Sequence, residues 1–303
     1  MKIAVTGASG LIGTALSQQL RADGHTVVPV VRTAAGPDAI AWDPMAGTIE
    51  TAKLEGIDAV VHLAGAGIGD KRWSDAYKKT ILDSRVKGTE VLTNALASLQ
   101  NKPSVLISGS AIGYYGATGN EAVTESAPAG KDFLADVCVQ WENAAAPAQQ
   151  AGIRTVFLRT GIVLSPKGGA LKKMLPLFKL GVGGKMGSGR QWWSWISMDD
   201  EIGLIQHLLN GAVNGPVNAT APNPVTNSEM TKALGKALHR PTIAPVPSFG
   251  PKLLLGSELA EALLFTSAKV LPAAAQAAGY QFKHSTIEDA FAAMFGASAT
   301  TKG

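Results

Sequence analysis

Cysteine, long apolar runs and charge are all scarce in this 303-residue sequence. The one cysteine, Cys138, excludes an intrachain disulfide and fits a reducing compartment, so we expect a cytoplasmic protein. No stretch of 18 apolar residues occurs, since even the apolar segment 253–271 contains three charged side chains. The sequence therefore predicts no membrane span and no membrane partner.

Charged residues make up 17% of the chain, against about 25% in an average soluble protein, while 46% of the residues are apolar. Disordered chains have the opposite balance, so we expect a packed core. The 27 basic residues are scattered, and their densest groups are the pairs 71–72, 78–79 and 172–173, which argues against a nucleic-acid partner. The five histidines lack the spacing of metal ligands, and we expect no metal site.

The first half of the chain alternates short apolar runs with longer amphipathic segments. Lys2–Thr6 and Thr26–Val31 are typical of buried strands, and Leu11–Ala22 between them has helical apolar spacing. Further strands are predicted at 40–42, 58–63, 104–108 and 155–158, and helices at about 74–99, 132–150 and 199–209. Uniformly apolar strands joined by helices indicate an α/β fold with a doubly wound parallel sheet.

The pattern changes after Arg159, where glycine-rich segments and short helices replace the alternation. We expect a first domain over residues 1–165, with its sheet completed by parts of 191–222. Residues 166–303 are expected to form a smaller, mostly helical cap on the substrate side.

A glycine-rich loop, T-G-A-S-G-L-I-G, joins the first predicted strand to the first helix. Gly7 suits a tight turn, Gly10 allows a pyrophosphate to approach the backbone, and Gly13 allows the helix to pack closely on the sheet. The helix N-terminus adds unpaired N–H groups and a positive dipole end. The loop thus predicts an NAD(P)-binding Rossmann domain whose cofactor contacts include Gly7, Ser9, Gly10, Leu11 and Ile12.

The residue after the second strand indicates which dinucleotide binds. An NAD site usually has a carboxylate there for the ribose 2′-hydroxyl, whereas the 2′-phosphate of NADP requires a cation. Here the strand is followed by Arg32, and the first carboxylate downstream is Asp38. Arg32 can pair with a phosphate in bidentate fashion, so NADP is favoured over NAD. A solvated surface arginine is the alternative interpretation.

Three segments together resemble the short-chain dehydrogenase/reductase superfamily, in its extended, nucleotide-sugar-epimerase-like branch. They are the glycine loop, D-A-V-V-H-L-A-G at 58–65, and S-G-S at 108–110 with Y-G at 115–116. More specific motifs are W-D-P at 42–44, S-R at 84–85, W-E at 141–142 and G-S-G-R-Q at 187–191. These make the chain similar to an atypical group called the epimerase family, some members of which are labelled cell-division inhibitors.

The resemblance implies further cofactor contacts after two other strands. One set should lie at the adenine ribose: Leu63, Ala64 and Gly65. A second should lie at the nicotinamide carboxamide: Thr160, Gly161 and Val163. Arg85 stands where extended enzymes often carry asparagine, and we assign it to the cofactor site. Binding of a substrate anion and a structural salt bridge are the alternatives for Arg85.

The catalytic residues expected from the resemblance are present only in part. Extended enzymes use a serine after the fifth strand and a Tyr-x-x-x-Lys pair about 25 residues later. There the lysine lowers the tyrosine pKa, and the tyrosine exchanges a proton with a substrate oxygen that the serine also binds. Ser110 occupies the serine position, but Leu134 and Cys138 stand at the tyrosine and lysine positions. The standard proton relay is therefore missing.

Three explanations of this departure remain open. Tyr114 is the nearest relocated acid, although a loop aromatic covering the cofactor is its simpler interpretation. The chemistry could also need no tyrosine, or the chain could bind NADP without turnover. We therefore expect an NADP-binding, epimerase-like oxidoreductase acting on an unknown small molecule, by family analogy a sugar nucleotide. The alternative is a non-catalytic NADP-binding regulatory or sensor protein, and a homodimer is a possible assembly.

Overall fold

The computed structural model describes residues 1–33, 36–243 and 245–296, which form two compact units. Of the described residues, the first unit contains those in 1–114, 131–159 and 202–217. The second contains those in 115–130, 160–201 and 218–296. The predicted domain boundary at residue 165 stays a prediction.

Fourteen strands occur in the described part of the chain. They are β1 (Lys2–Thr6), β2 (Thr26–Val31), β3 (Ile40–Asp43), β4 (Thr48–Ile49), β5 (Ala59–His62), β6 (Val105–Ala111), β7 (Ala122–Val123), β8 (Arg154–Thr160), β9 (Ile162–Leu164), β10 (Trp192–Trp193), β11 (Trp195–Ser197), β12 (Gly215–Ala219), β13 (Val225–Thr226) and β14 (Lys269–Val270).

Eleven α-helices occur in the same described ranges. They are α1 (Leu11–Ala22), α2 (Asp75–Ser98), α3 (Phe133–Asn143), α4 (Ala146–Gln150), α5 (Gly169–Lys179), α6 (Met198–Asn210), α7 (Asn227–Ala237), α8 (Phe249–Leu255), α9 (Ser257–Ala260), α10 (Ala273–Ala277) and α11 (Ile287–Phe295). Short 3₁₀ turns lie at Thr51–Leu54 and Ile112–Tyr115, and a π turn at Glu261–Phe265.

An eight-stranded sheet dominates the structure, in the order β12-β8-β6-β5-β1-β2-β3-β4. β1 pairs in parallel with β2 and β5, and the pairs β2–β3 and β5–β6 are also parallel. In this sheet the short edge strand β4 is antiparallel to β3. The prediction of a Rossmann-type, doubly wound parallel sheet is confirmed.

Local sequence explains where the helices beside this sheet begin. Ser74 caps α2 by accepting a hydrogen bond from the Tyr77 N–H at 3.2 Å, and Asp132 caps α3 through the Ala135 N–H at 2.9 Å. Such caps satisfy N–H groups that the first helical turn leaves unpaired. The segment predicted as one helix over 132–150 is divided into α3 and α4, because the chain turns at residues 144–145.

The second unit is mostly helical, as expected, and has its own apolar core. Trp193, Trp195 and Phe291 are buried at its centre. Two of the three tryptophans in the segment 192–195 therefore pack into this core. Three two-stranded pairs lie in this unit: β10–β13, β9–β11 and β7–β14. In the described ranges, no helix has both the length and the apolar character that crossing a bilayer requires.

Candidate functional site

The glycine loop occupies the carboxyl edge of the sheet, between β1 and α1. Gly7 has φ +66°, and a Cβ built on it would lie 2.9 Å from the Leu63 carbonyl carbon. A Cβ on Gly13 would overlap the Gly7 carbonyl oxygen. The loop can therefore pack this closely against the end of β5 only with glycine at positions 7 and 13.

The N-terminus of α1 has no side-chain cap. Gly10 is the N-cap residue, and its own N–H bonds back to the Gly7 carbonyl at 2.9 Å. Ser9 and Gly10 are exposed, and Leu11 and Ile12 open the helix half-buried. The uncapped N–H groups and the helix dipole face outward together, which is an arrangement that binds phosphate.

A buried hydrogen-bond chain fixes the loop to β5. The Thr6 hydroxyl oxygen accepts from the N–H groups of Leu63 and Ala64 at 3.0 and 3.1 Å. Because both lone pairs are then used, the Thr6 proton goes to His62 Nδ1 at 2.8 Å. His62 is consequently neutral, with its own proton on Nε2 directed at Thr89 Oγ1 at 3.0 Å. Burial, assisted by the charge of Arg85, lowers the pKa of His62 to about 4.

Arg32 directly follows β2, and its side chain is exposed. Over the described residues it has neither a hydrogen bond nor an ion pair. Asp38, the first carboxylate after β2, lines a groove of about 700 Å³ at the amino ends of the strands, the edge opposite to the loop. The guanidinium of Arg32 is thus available to an anion, with no carboxylate from residues 32–37 beside it.

Ser110 belongs to a buried polar cluster that the sequence did not reveal. Its hydroxyl donates to Glu142 Oε1 at 2.7 Å. Arg159 donates to the same carboxylate from Nε at 2.8 Å and from Nη2 to Oε2 at 2.8 Å. The ring of Tyr114 lies over the Arg159 guanidinium, with 3.4 Å from Cζ to the ring centroid. We call Ser110, Glu142, Arg159 and Tyr114 the polar cluster.

Glu142 and Arg159 are the two members of the polar cluster that were not predicted as site residues, although the sequence contains weak signals for both. Glu142 follows Ala135, Cys138 and Trp141 on the buried face of α3. Arg159 directly follows three buried apolar residues of β8, 156–158. A carboxylate and a guanidinium on buried faces are rarely tolerated unless they pair, so each charge is a reason to search for the other.

The positions of the missing tyrosine and lysine are filled by neutral side chains. A Cβ on Gly113 would lie 3.3 Å from Leu134 Cβ and 3.9 Å from Cys138 Sγ. Burial, and then the charge of Glu142, raises the pKa of Cys138 to about 12. Cys138 is therefore a neutral thiol and supplies neither a cation nor a thiolate.

Gly65 and Arg85 are brought together at the end of β5, as the assignment of both to one site requires. A Cβ on Gly65 would lie 3.2 Å from Arg85 Cζ. Arg85 is 8% exposed and lies over the Trp141 ring at 5.0 Å. The structural salt bridge that was an alternative for Arg85 is not found in the described ranges.

The remaining predicted contacts belong to the second unit. The N–H of Gly161 donates to the Ala219 carbonyl at 3.0 Å, and Thr160 Oγ1 donates to Glu201 Oε1 at 3.0 Å. Val163 lies in β9, paired with β11. That Thr160, Gly161 and Val163 contact the cofactor stays a prediction. Within residues 1–33, 36–243 and 245–296, no group of three His, Cys, Asp or Glu side chains could hold a metal ion.

Comparison with family models gives two matches. Residues 3–220 match the model described as "NAD dependent epimerase/dehydratase family". Residues 246–294 match a model described as "Domain of unknown function (DUF1731)".

Curated relatives match along almost the whole chain. "Epimerase family protein Mb2239" of Mycobacterium bovis is 46% identical over 290 residues, covering 95% of each chain. Human "Epimerase family protein SDR39U1" is 36% identical over 286 residues, covering 93% of this chain and 95% of the human protein.

Solved structures agree with these matches. The crystal structure of human SDR39U1 (isoform 2) with NADPH is 34% identical, has a TM-score of 0.90, and covers 98% of this chain and 99% of that one. UDP-glucuronic acid 4-epimerase from Bacillus cereus, solved with NAD, is 19% identical with a TM-score of 0.75, over 98% of this chain and 96% of that one, and shows the fold alone. The chain belongs to the NAD dependent epimerase/dehydratase family and is an NAD(P)-binding protein.

Proposed function

We propose that the protein is an NADP(H)-dependent oxidoreductase of the epimerase-like type, acting on a small molecule with a hydroxyl or carbonyl group. The single observation that carries this proposal is the buried hydrogen bond from Ser110 to Glu142, whose carboxylate is held by Arg159. A serine whose proton is directed to a carboxylate is the arrangement that a proton relay requires.

The glycine loop, the uncapped N-terminus of α1 and Arg32 are the residues that would hold NADP(H). The loop and helix suit the pyrophosphate, and Arg32 suits the 2′-phosphate. The human relative solved with NADPH supports the same choice of dinucleotide. Bound NADP(H) supplies a hydride donor or acceptor at its nicotinamide ring.

In the reaction, Ser110 can accept a hydrogen bond from the substrate and can relay a proton to Glu142. Because its proton is directed to Glu142, its oxygen lone pairs face away from that bond and can accept a hydrogen bond from a substrate hydroxyl. A substrate proton that moves to Ser110 Oγ is matched by the Ser110 proton moving to Glu142 Oε1, and reduction uses the reverse movement. Arg159 keeps the carboxylate in place throughout.

A second function, binding of NADP(H) without turnover, is favoured by one observation. Leu134 and neutral Cys138 stand at the positions of the usual tyrosine and lysine, so no fixed cation lies there to activate a phenol. In that case the cofactor would be the signal that the protein senses.

The test is a screen for NADPH oxidation and NADP⁺ reduction with sugar nucleotides, hydroxy acids and small carbonyl compounds. With any substrate found, Ser110→Ala should lower kcat/KM by about 100-fold or more, since general acid–base groups contribute that much. NADPH affinity should stay unchanged, because Ser110 is not among the residues assigned to the cofactor.

Ser104→Ala is the matched control, because Ser104 is an exposed serine just before β6. A fully active Ser110→Ala variant would show that the chemistry uses other residues. An NADPH-dependent rise in melting temperature without turnover of any compound would favour the sensor.

A further inference from the structure

Large apolar side chains are exposed mainly on one part of the second unit. Among the described residues, ten such side chains are exposed, and seven of them lie in two segments of this unit, 177–182 and 243–254. We call these seven the apolar face: Leu177, Leu180, Val182, Ile243, Phe249, Leu253 and Leu254. Their exposed fractions range from 49% to 89%. Single exposed apolar side chains are common, but a group of this size indicates a binding surface.

The two segments that carry the apolar face lie side by side. The N–H of Val246 donates to the Lys185 carbonyl at 2.8 Å, and the N–H of Gly187 donates to the Val246 carbonyl at 3.0 Å. Nearer to α5, Arg240 Nε donates to the Lys179 carbonyl at 2.9 Å. The chain that follows α5 is thus hydrogen-bonded to the chain that precedes α8, and the residues of the apolar face belong to one surface.

The helix α8 contributes most to this surface. Its sequence is F-G-P-K-L-L-L, and none of its seven residues is buried. Phe249 and Leu253 are four residues apart, so they lie on the same side of the helix. A helix with an apolar side normally packs that side against a core. In the described ranges, α8 is instead an apolar helix that the chain itself does not cover.

The helix α5 adds an outer side on which leucine and lysine alternate. Its inner side is buried in the apolar core of the second unit. Lys173, Leu177 and Leu180 follow one another along the outer side at spacings of four and three residues, and all three are exposed. Lys172 and Lys179 are exposed beside that row. Apolar and cationic side chains therefore share one side of this helix.

The same part of the chain is strongly basic. Residues 166–190 and 230–257 contain ten Lys or Arg residues and neither Asp nor Glu. The whole chain has a net charge of +4, so the rest of the chain carries a net charge of −6. The next acidic residues along the chain are Glu258 and Glu261, and Glu261 is paired with Lys252 at 2.8 Å. The excess positive charge of the protein is thus concentrated in the segments that carry the apolar face.

An anionic lipid surface fits this combination better than a second protein does. In a two-fold dimer the apolar face would meet its own copy, and the two basic segments have no carboxylate to place opposite the lysines. Protein interfaces are enriched in Tyr, Trp and Arg and depleted in Lys, whereas helices on bilayer surfaces carry Lys beside Leu and Phe. A lysine can also extend its charge to the headgroups while its methylene groups lie among apolar side chains.

We propose that the apolar face is a membrane-binding surface for anionic bilayers. Phe249, Leu253 and Leu180 would enter the headgroup region, and the lysines of α5 would lie at the lipid phosphates. The expectation of no membrane partner came from the lack of a long apolar run, which a contact of this kind does not require. The proposal goes beyond the chemistry at Ser110 and is independent of it, because it concerns the surface on which the protein acts.

The test is sedimentation of the full chain with two kinds of vesicle, one of phosphatidylcholine and one of phosphatidylcholine mixed with phosphatidylglycerol. We expect binding to the anionic vesicles to be about tenfold tighter or more than binding to the neutral ones, because lysines gain from the negative surface potential. Binding should weaken as the salt concentration rises, since that attraction is screened.

Two double variants separate the charge from the apolar contact. Lys172→Glu/Lys173→Glu should weaken binding to anionic vesicles about tenfold or more, because it reverses two charges. Phe249→Ser/Leu253→Ser should weaken it to a similar extent without changing the charge, because it removes the inserted side chains. All four side chains are exposed, so the melting temperature should change little.

The matched controls change exposed residues of the first unit. Lys71→Glu/Arg72→Glu makes the same change of charge as the lysine variant, and Met45→Ser removes an exposed apolar side chain. Both controls should bind anionic vesicles as the parent does. A control that loses binding as strongly as the variants of the apolar face would show that the total charge or apolar area matters and not this surface.

Three further outcomes would overturn the proposal. The parent could bind neither kind of vesicle or both equally, or the two double variants could bind as tightly as the parent. Gel filtration of a parent that binds no vesicles could show a dimer that Phe249→Ser/Leu253→Ser dissociates, which would assign the apolar face to a second copy. Binding to polyglutamate but not to anionic vesicles would assign it to an acidic protein.

Discussion

The glycine loop and the polar cluster both lie in the first unit, toward the carboxyl ends of its strands, but they are built in different ways. The loop consists of eight consecutive residues, 6–13, and leaves backbone N–H groups uncapped at the start of α1. The polar cluster joins Ser110, Glu142 and Arg159 from β6, α3 and β8, and works through side-chain charges.

The residue types of the loop are determined largely by local backbone geometry, whereas those of the polar cluster are determined by tertiary packing. The requirement for glycine at position 13 is local, because a Cβ there would clash with Gly7, only six residues away. The cluster exists only when three elements are packed, and each of its charges is tolerated because the others are present. Substitutions should therefore affect folding most in the cluster, and cofactor binding most at the loop and Arg32.

The largest expected effect comes from separating the buried charges. Arg159→Leu leaves Glu142 buried without its bidentate partner, which should lower the free energy of unfolding by about 3–5 kcal/mol. Urea denaturation followed by circular dichroism measures the loss. The double variant Arg159→Leu/Glu142→Leu should recover most of it, since an apolar pair needs no charge compensation.

Arg21→Leu, at the opposite edge of the sheet, is the control and should have little effect. If Arg159→Leu is as stable as the parent, the ion pair does not hold the cluster together. If the double variant is no more stable than Arg159→Leu, the loss comes from packing and not from the unpaired carboxylate.

The fold was predictable to the extent that local patterns determine it. Lys2–Thr6, Leu11–Ala22 and Thr26–Val31 lie at the predicted bounds, because apolar strands and an amphipathic helix carry strong periodic signals. The turn between α3 and α4 was missed, since alanines at 144–146 fit a continuous helix equally well. The short strand pairs of the second unit were missed too, because two or three residues show no period.

The candidate site also contains some residues that local sequence predicts and others that only the folded chain brings together. Gly7, Gly10 and Gly13 could be assigned because their spacing has a backbone cause, and Ser110 could be assigned only through the resemblance. Glu142 was seen merely as the end of a motif, because its role depends on a residue 17 positions away on another element.

The hydrogen-bond chain from Thr6 through His62 to Thr89, which holds the glycine loop, should make the free energy of unfolding depend on pH. Burial lowers the pKa of His62 from 6.5 to about 4, so below 6.5 the unfolded chain binds a proton that the native chain does not. Stability from neutral His62 is thus present above 6.5 and lost as the pH falls toward 4, a loss of about 2 kcal/mol between pH 7 and pH 5. Urea denaturation at both values measures it, and His62→Gln should lose correspondingly less.

His239→Gln is the control for that measurement, because His239 is exposed. An equal pH effect in the parent and in His62→Gln would mean that other groups cause it. The hydrogen-bond chain from Thr6 to Thr89 would then not depend on a neutral imidazole.

The smallest expected effect tests whether the Arg32 side chain distinguishes NADPH from NADH. If the free guanidinium of Arg32 binds the 2′-phosphate, NADPH should bind about tenfold tighter than NADH, or about 1.4 kcal/mol. Arg32→Ala should remove that preference and leave NADH affinity unchanged, because we assign the loop and the N-terminus of α1 to the pyrophosphate, which both dinucleotides share. Fluorescence titration of NADPH and NADH into the parent and into Arg32→Ala measures the four dissociation constants, with Arg21→Ala as the matched control.

Equal affinities in the parent would contradict the role of Arg32, and a preference that survives Arg32→Ala would place the phosphate on another cation. Either result would leave the loop assignment intact, because the pyrophosphate assigned to the loop is common to both dinucleotides.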